Sequence, residues 1–182
     1  TKEKYKPSDI VVAFRPNANH FFQAVRGRIF QSAKILRLFP GESLPKNYRN
    51  SRNEYVIEGA SPAAIGKTIQ FIQKIYPAMS RLIIIGGVSE TDTHYLNITR
   101  SSIKKYATDA TVEYWIGDTI GEIVEKVQNI PDGCAIMYST VELDRNNTFS
   151  DPIFVLKAFV DKSKAPVFCF FDSVMVTGVV GG

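Results

Sequence analysis

Apolar residues follow two alternating rhythms along the chain. Short apolar runs occupy 10–14, 82–85, 134–138 and 167–171 without a break, with a strand-like run interrupted by Lys34 and Arg37 at 33–38 and shorter or weakly alternating runs at 55–57 and 111–116. Runs of this length, closed by turn residues, suit strands buried on both faces, as in parallel sheet. Between them apolar positions return every three or four residues, which predicts helices. Phe21, Val25 and Ile29, flanked by Phe22 and Phe30, mark a helix over 18–30; Ile65, Ile69, Ile72 and Tyr76 mark a second, ended by Pro77. A thin stripe of Tyr95, Leu96, Ile103 and Tyr106 marks a third over 91–106. Ile120, Ile123, Val124 and Val127 mark a fourth, and Ile153, Leu156, Phe159 and Val160 a fifth. Helix starts are signalled by Asn17, by Ser61-Pro62, by the capping box Thr119-x-x-Glu122 and by Pro152. Strands alternating with helices predict an α/β fold of mostly parallel sheet flanked by helices.

Two long polar stretches interrupt this pattern, at 40–53 and 139–151. Connections of such length in a compact domain are usually functional loops or crossings between domains. The first is the predicted boundary between two lobes, and the second follows directly on a strand end.

Chemistry in a parallel sheet gathers at the carboxyl ends of the strands. Arg15 and Asn17 end the first strand, Tyr138 and Ser139 end another, and Asp172 follows the last. Gly86-Gly87-Val88-Ser89 ends the run at 82–85. It is either a nest of backbone N–H groups open to an anion or a plain strand-to-helix turn. It is neither a P-loop nor Gly-x-Gly-x-x-Gly. No catalytic set emerges: Gly-x-Ser-x-Gly is absent, and Ser89, Asp92 and His94 crowd one turn rather than converging as a triad. No metal-ligand spacing is present, and no cofactor is expected. Cys134 and Cys169 each sit inside an apolar run and read as core residues whose pairing is open.

Composition changes this picture little. Of the 182 residues, 45% are hydrophobic and 22% charged, as in a globular protein. The net charge of +4 is spread without a run of five basic residues, so nucleic acid is not an expected partner. No signal peptide or membrane-spanning run is evident, and the chain ends in mid-pattern on Val-Val-Gly-Gly.

Four stretches carry a resemblance: Ser8 to Ala18 with its Phe-Arg-Pro, Glu58 to Gly87 with Tyr76-Pro77 and Arg-Leu-Ile-Ile-Ile-Gly-Gly, Ala135 to Thr140, and Ala165-Pro-Val-Phe-Cys-Phe-Phe-Asp-Ser through to Gly182. Their order resembles bacterial domains related to ABC-transporter substrate-binding proteins, as in the extracytoplasmic sensor regions of two-component histidine kinases. The resemblance implies a type I periplasmic-binding-protein-like fold of two Rossmann-like lobes. On that reading 1–54 belong to an incomplete first lobe and its connection, 55–173 to the second, and 174–182 cross back. The chain would then be part of a longer protein, with exposed apolar surface that favours a homodimer. The implied function is sensing, with a small molecule held between lobes and hinge closure as the signal to a membrane-tethered kinase region. A free solute-binding protein serving an ABC permease is the alternative, and a cytoplasmic nucleotide-using α/β enzyme is a third reading. The resemblance places ligand contacts at Arg15, Asn17, Gly87, Ser89, Tyr138, Ser139 and Asp172, outside the cytoplasm.

Overall fold

The computed structural model describes residues 9–14, 18, 21–22, 24–25, 28, 33–39, 54–58, 62–106 and 109–181. The chain divides into two compact units, Thr1–Ser61 and Pro62–Gly182. The predicted polar stretch 40–53, the cap Ser61 and the site residues Arg15 and Asn17 lie outside the described residues.

The first unit contains a three-stranded sheet of β1 (Ile10–Phe14), β2 (Lys34–Phe39) and β3 (Glu54–Glu58), in that order and all parallel. The described positions between 18 and 28 are helical. Val11, Ala13 and Ile35 share one sheet face and pack with Phe22, whereas Ile10, Val12 and Tyr55 are exposed. Two expectations are corrected here. Phe22, 2% exposed, turns inward, while Phe21 is 61% exposed. One residue of helix phase is about 100°, enough to swap two adjacent aromatics between core and solvent. The strand at 55–57, assigned above to the second lobe, pairs with β2, so the first unit extends to Ser61.

The second unit is a doubly covered parallel sheet. Its elements are α1 (Pro62–Ile75), β4 (Arg81–Gly86), α2 (Glu90–Tyr106), β5 (Thr111–Ile116), α3 (Ile120–Gln128), β6 (Cys134–Thr140), α4 (Pro152–Phe159) and β7 (Val167–Cys169). The strand order is β5-β4-β6-β7, all parallel. β4 lies inside the sheet, and Leu82, Ile83, Ile84 and Ile85 are at most 1% exposed. Burying each such side chain contributes roughly 1.5–3 kcal/mol. Ile83 and Ile85 join Ile136 and Tyr138 of β6 against α3 and α4, through Ile123, Val127, Val155 and Phe159. The other face is covered by α1, which meets β7, and by α2, which meets β4 and β6.

The thin stripe of α2 has a physical origin. Its buried positions are Asp92, Tyr95, Leu96, Ile98, Thr99 and Ser102, so three inward places hold polar side chains. Ser102 satisfies its hydroxyl on the carbonyls of Pro62 and Ile98. In α4 the inward residue is Val155 rather than the expected Ile153, which is 37% exposed. β7 stops at Cys169, short of the expected 171, and a 3₁₀ turn follows over Asp172–Thr177. The tail, expected to cross to the other lobe, returns along β7: Val180 N–H donates to Val167 O, and Cys169 N–H to Gly181 O.

Both cysteines are free and buried. Burial raises the thiol pKa of each, that of Cys169 to about 11, so neither is a ready thiolate.

The single tryptophan, Trp115, lies in β5, so its fluorescence reports on the second unit. Ile85→Ala is expected to lower stability by about 2–5 kcal/mol in urea unfolding followed at Trp115, and Val88→Ala, at a 40% exposed site, by under about 0.5 kcal/mol.

Candidate functional site

The strand order makes β4 the switch point of the second sheet, since the chain passes from β4 to β5 on one side and then crosses back over β4 to β6 on the other. The crevice at such a point lies beyond the carboxyl ends of the two central strands. Here those ends are Gly86–Ser89 and 139–143. At the junction β6 carries a β-bulge. Ile85 pairs with Tyr138 and Gly86 with Thr140, leaving Ser139 as the extra residue. Bulges of this kind re-aim side chains and are frequent beside functional sites. Ser139 is fully buried, and its hydroxyl has no hydrogen-bond partner among the described residues.

The group that organises this edge is Asp92, which is 0% exposed. Its Oδ2 accepts from Ser89 N–H at 3.0 Å and Leu143 N–H at 3.1 Å, and Glu142 N–H lies 3.0 Å from both oxygens. In return, the Ser89 hydroxyl accepts from Asp92 N–H at 3.0 Å, so Ser89 and Asp92 form a reciprocal cap at the start of α2. The carboxylate charge is met by peptide N–H groups and by the positive end of the helix. Gly87 is required for this approach, because a Cβ there would collide with the Asp92 carboxylate and press on Leu143 O. Ser89 Oγ also donates to Glu142 Oε2 at 3.1 Å, which brings a second carboxylate to the same edge.

The polar stretch after β6 is therefore pinned at many points. Tyr138, 1% exposed, donates its hydroxyl to Pro152 O at 2.8 Å and accepts from Val141 N–H at 3.1 Å, clamping both ends of the loop. Burial holds its phenol well above the usual tyrosine range. Asp144 Oδ1 accepts from Asn146 and Thr148 N–H around a tight turn, where Asn147 adopts φ 60°. Leu143 bridges to Phe149, which is 72% exposed. Arg145 pairs with Asp118 and with Glu122, and Lys126 also pairs with Asp118. Glu122 completes the predicted capping box, accepting from Thr119 N–H while Thr119 Oγ accepts from Glu122 N–H. These bonds with Thr119, then the nearby Arg145, hold the Glu122 carboxyl below its usual range.

The structure thus brings Gly87, Ser89, Tyr138 and Ser139 to one edge, with Tyr138 turned into the core. Asp172 begins the 3₁₀ turn beyond β7, after Phe170 and Phe171, whose rings cluster with Tyr95. Asp92 and Glu142 escaped selection from the sequence as ligand-edge residues. The Ser89-x-x-Asp92 spacing, a capping-box variant one residue after two glycines, is the available signal for the first. Glu142 sits in an aperiodic loop and gave none. Among the described residues no three His, Cys, Asp or Glu side chains group as a metal site, and no helix is long and apolar enough to cross a membrane.

No protein-family model matches the chain, and no curated protein matches it in sequence. Among solved structures the chain is similar to an extracellular ligand-binding receptor from Verminephrobacter eiseniae, with a TM-score of 0.53 at 10% identity, over 88% of this chain and 44% of that one. It is also similar to full-length LpoA from Haemophilus influenzae, with a TM-score of 0.45 at 11% identity, over 87% of this chain and 27% of that one. The chain spans less than half the length of either protein. The fold class is that expected, α/β with parallel sheets flanked by helices, and it is the class of the extracellular ligand-binding receptor.

Two outcomes test this edge. Gly87→Ala is expected to cost about 1–3 kcal/mol, measured by urea unfolding, because backbone and a buried carboxylate must both move. The depressed Glu122 carboxyl contributes stability that is present above pH 4.5, its unperturbed value, and lost as pH falls through its folded value. Wild type should therefore lose more stability below pH 4.5 than Glu122→Gln does, and parallel acid profiles would refute the linkage.

Proposed function

We propose that this chain is an extracytoplasmic ligand-binding sensor module of a two-component signalling protein, taking a small solute at the carboxyl edge of the second unit. The observation that carries the reading is the switch point at β4 and β6, with a bulge, a close-approach glycine and polar groups from two loops at one place. The likeness in fold to an extracellular ligand-binding receptor supports it. Ser89, Ser139 and the backbone at Gly87 are the proposed contacts in this unit, and Glu142 joins them. Tyr138 supports them from below by holding the loop ends. Asp172, Arg15 and Asn17 stay in the proposal on the strength of the family resemblance.

The mechanism asks little chemistry of the protein. A solute shifts a two-state equilibrium only by its difference in affinity for the two states. Coupling to a kinase region requires that the 141–151 loop, anchored through Tyr138 to α4, differ between them.

A thermal-shift screen of the chain against amino acids, sugars, polyamines and nucleotides tests the reading. Stabilisation by a non-nucleotide solute is expected, weakened about tenfold (~1.4 kcal/mol) by Glu142→Gln. Stabilisation by nucleotides alone would contradict it. The full-length product separates the two roles: a membrane span followed by a kinase region supports sensing, and a free lipoprotein would replace it with solute delivery to a permease.

A further inference from the structure

We propose that Asp92 is a built-in anion, occupying the crevice of the second unit and restricting this edge to neutral or cationic solutes. The restriction on solutes rests on the proposed ligand-binding role; the occupation of the crevice does not. Backbone N–H groups converging at a helix N-terminus form a ready site for phosphate or carboxylate. At this edge Ser89, Glu142 and Leu143 supply such groups, and all three are already engaged by a carboxylate of the same chain. The carboxylate is fully buried, and Gly87 leaves it the space it occupies.

Two consequences follow for recognition. An anionic ligand would find the donors taken and two carboxylates, Asp92 and Glu142, at the same place. A solute presenting an amine or hydroxyl would instead meet acceptors in the Glu142 carboxylate and the Ser89 hydroxyl, both residues half-buried. Asp92 is thus a positioning and specificity residue that sets ligand class without needing to touch ligand.

The test is chemical rescue in the 182-residue chain. Asp92→Ala empties the crevice, whereas Asp92→Asn keeps it filled. Acetate, compared with chloride at matched ionic strength, should raise the Tm of Asp92→Ala by on the order of 4 °C and leave wild type and Asp92→Asn level between the two salts. Equal Tm values for Asp92→Ala in both salts would overturn the proposal. If Asp92→Ala accumulates only as aggregate, refolding yield replaces Tm: a higher yield in acetate supports the proposal and equal yields overturn it. In ¹⁵N-labelled wild type, phosphate should leave the Ser89, Glu142 and Leu143 amide signals unmoved, and saturable shifts there would also overturn it. These readouts are independent of any solute screen, so a screen without hits bears on the ligand-binding reading alone.

Discussion

The second unit depends on one buried interaction, the Asp92 carboxylate held by peptide N–H groups from two separate loops. A charge removed from water is tolerated only when it is fully hydrogen-bonded. Here that requirement ties the start of α2 to the loop after β6 and dictates glycine at position 87. Further peptide hydrogen bonds join the same strand ends. The loop gives Arg145 N–H to Gly117 O and takes Val88 N–H at Leu143 O, and Gly117 N–H bonds to Gly86 O. The edges of β4, β5 and β6 are thereby stitched into one surface.

Such an edge has two properties that suit recognition. It is rigid where it is pinned by Asp92 and Tyr138. It also keeps groups of different character within one loop system, with exposed Phe149 at the hairpin and half-buried Glu142 beside Ser89. Rigid support below adaptable contacts is how binding sites reach affinity at low ordering cost. The internal carboxylate adds selectivity, because an occupied anion site rejects competitors by charge as well as by shape.

Much of this architecture was legible along the chain because it is local. The unbroken run at 82–85 marked the central strand, Thr119-x-x-Glu122 marked the start of α3, and Pro152 marked α4. What was not legible is set by contacts distant in sequence. Nothing local states that the strand Glu54–Glu58 pairs with β2, or that Val155 rather than Ile153 turns inward. The inward face of α2 looked weak because apolar periodicity does not count Asp92, Thr99 and Ser102, which are buried. Asp92 is buried because its partners arrive from Glu142 and Leu143, about fifty positions further on.

The central claim is that the amides of Glu142 and Leu143 are bonded to a buried carboxylate rather than to solvent. Amide hydrogen exchange, residue by residue, measures this directly. Both amides are expected to exchange within about tenfold of Ile84 in the central strand. Exchange of Glu142 and Leu143 at the rate of unprotected, solvent-exposed amides would contradict it.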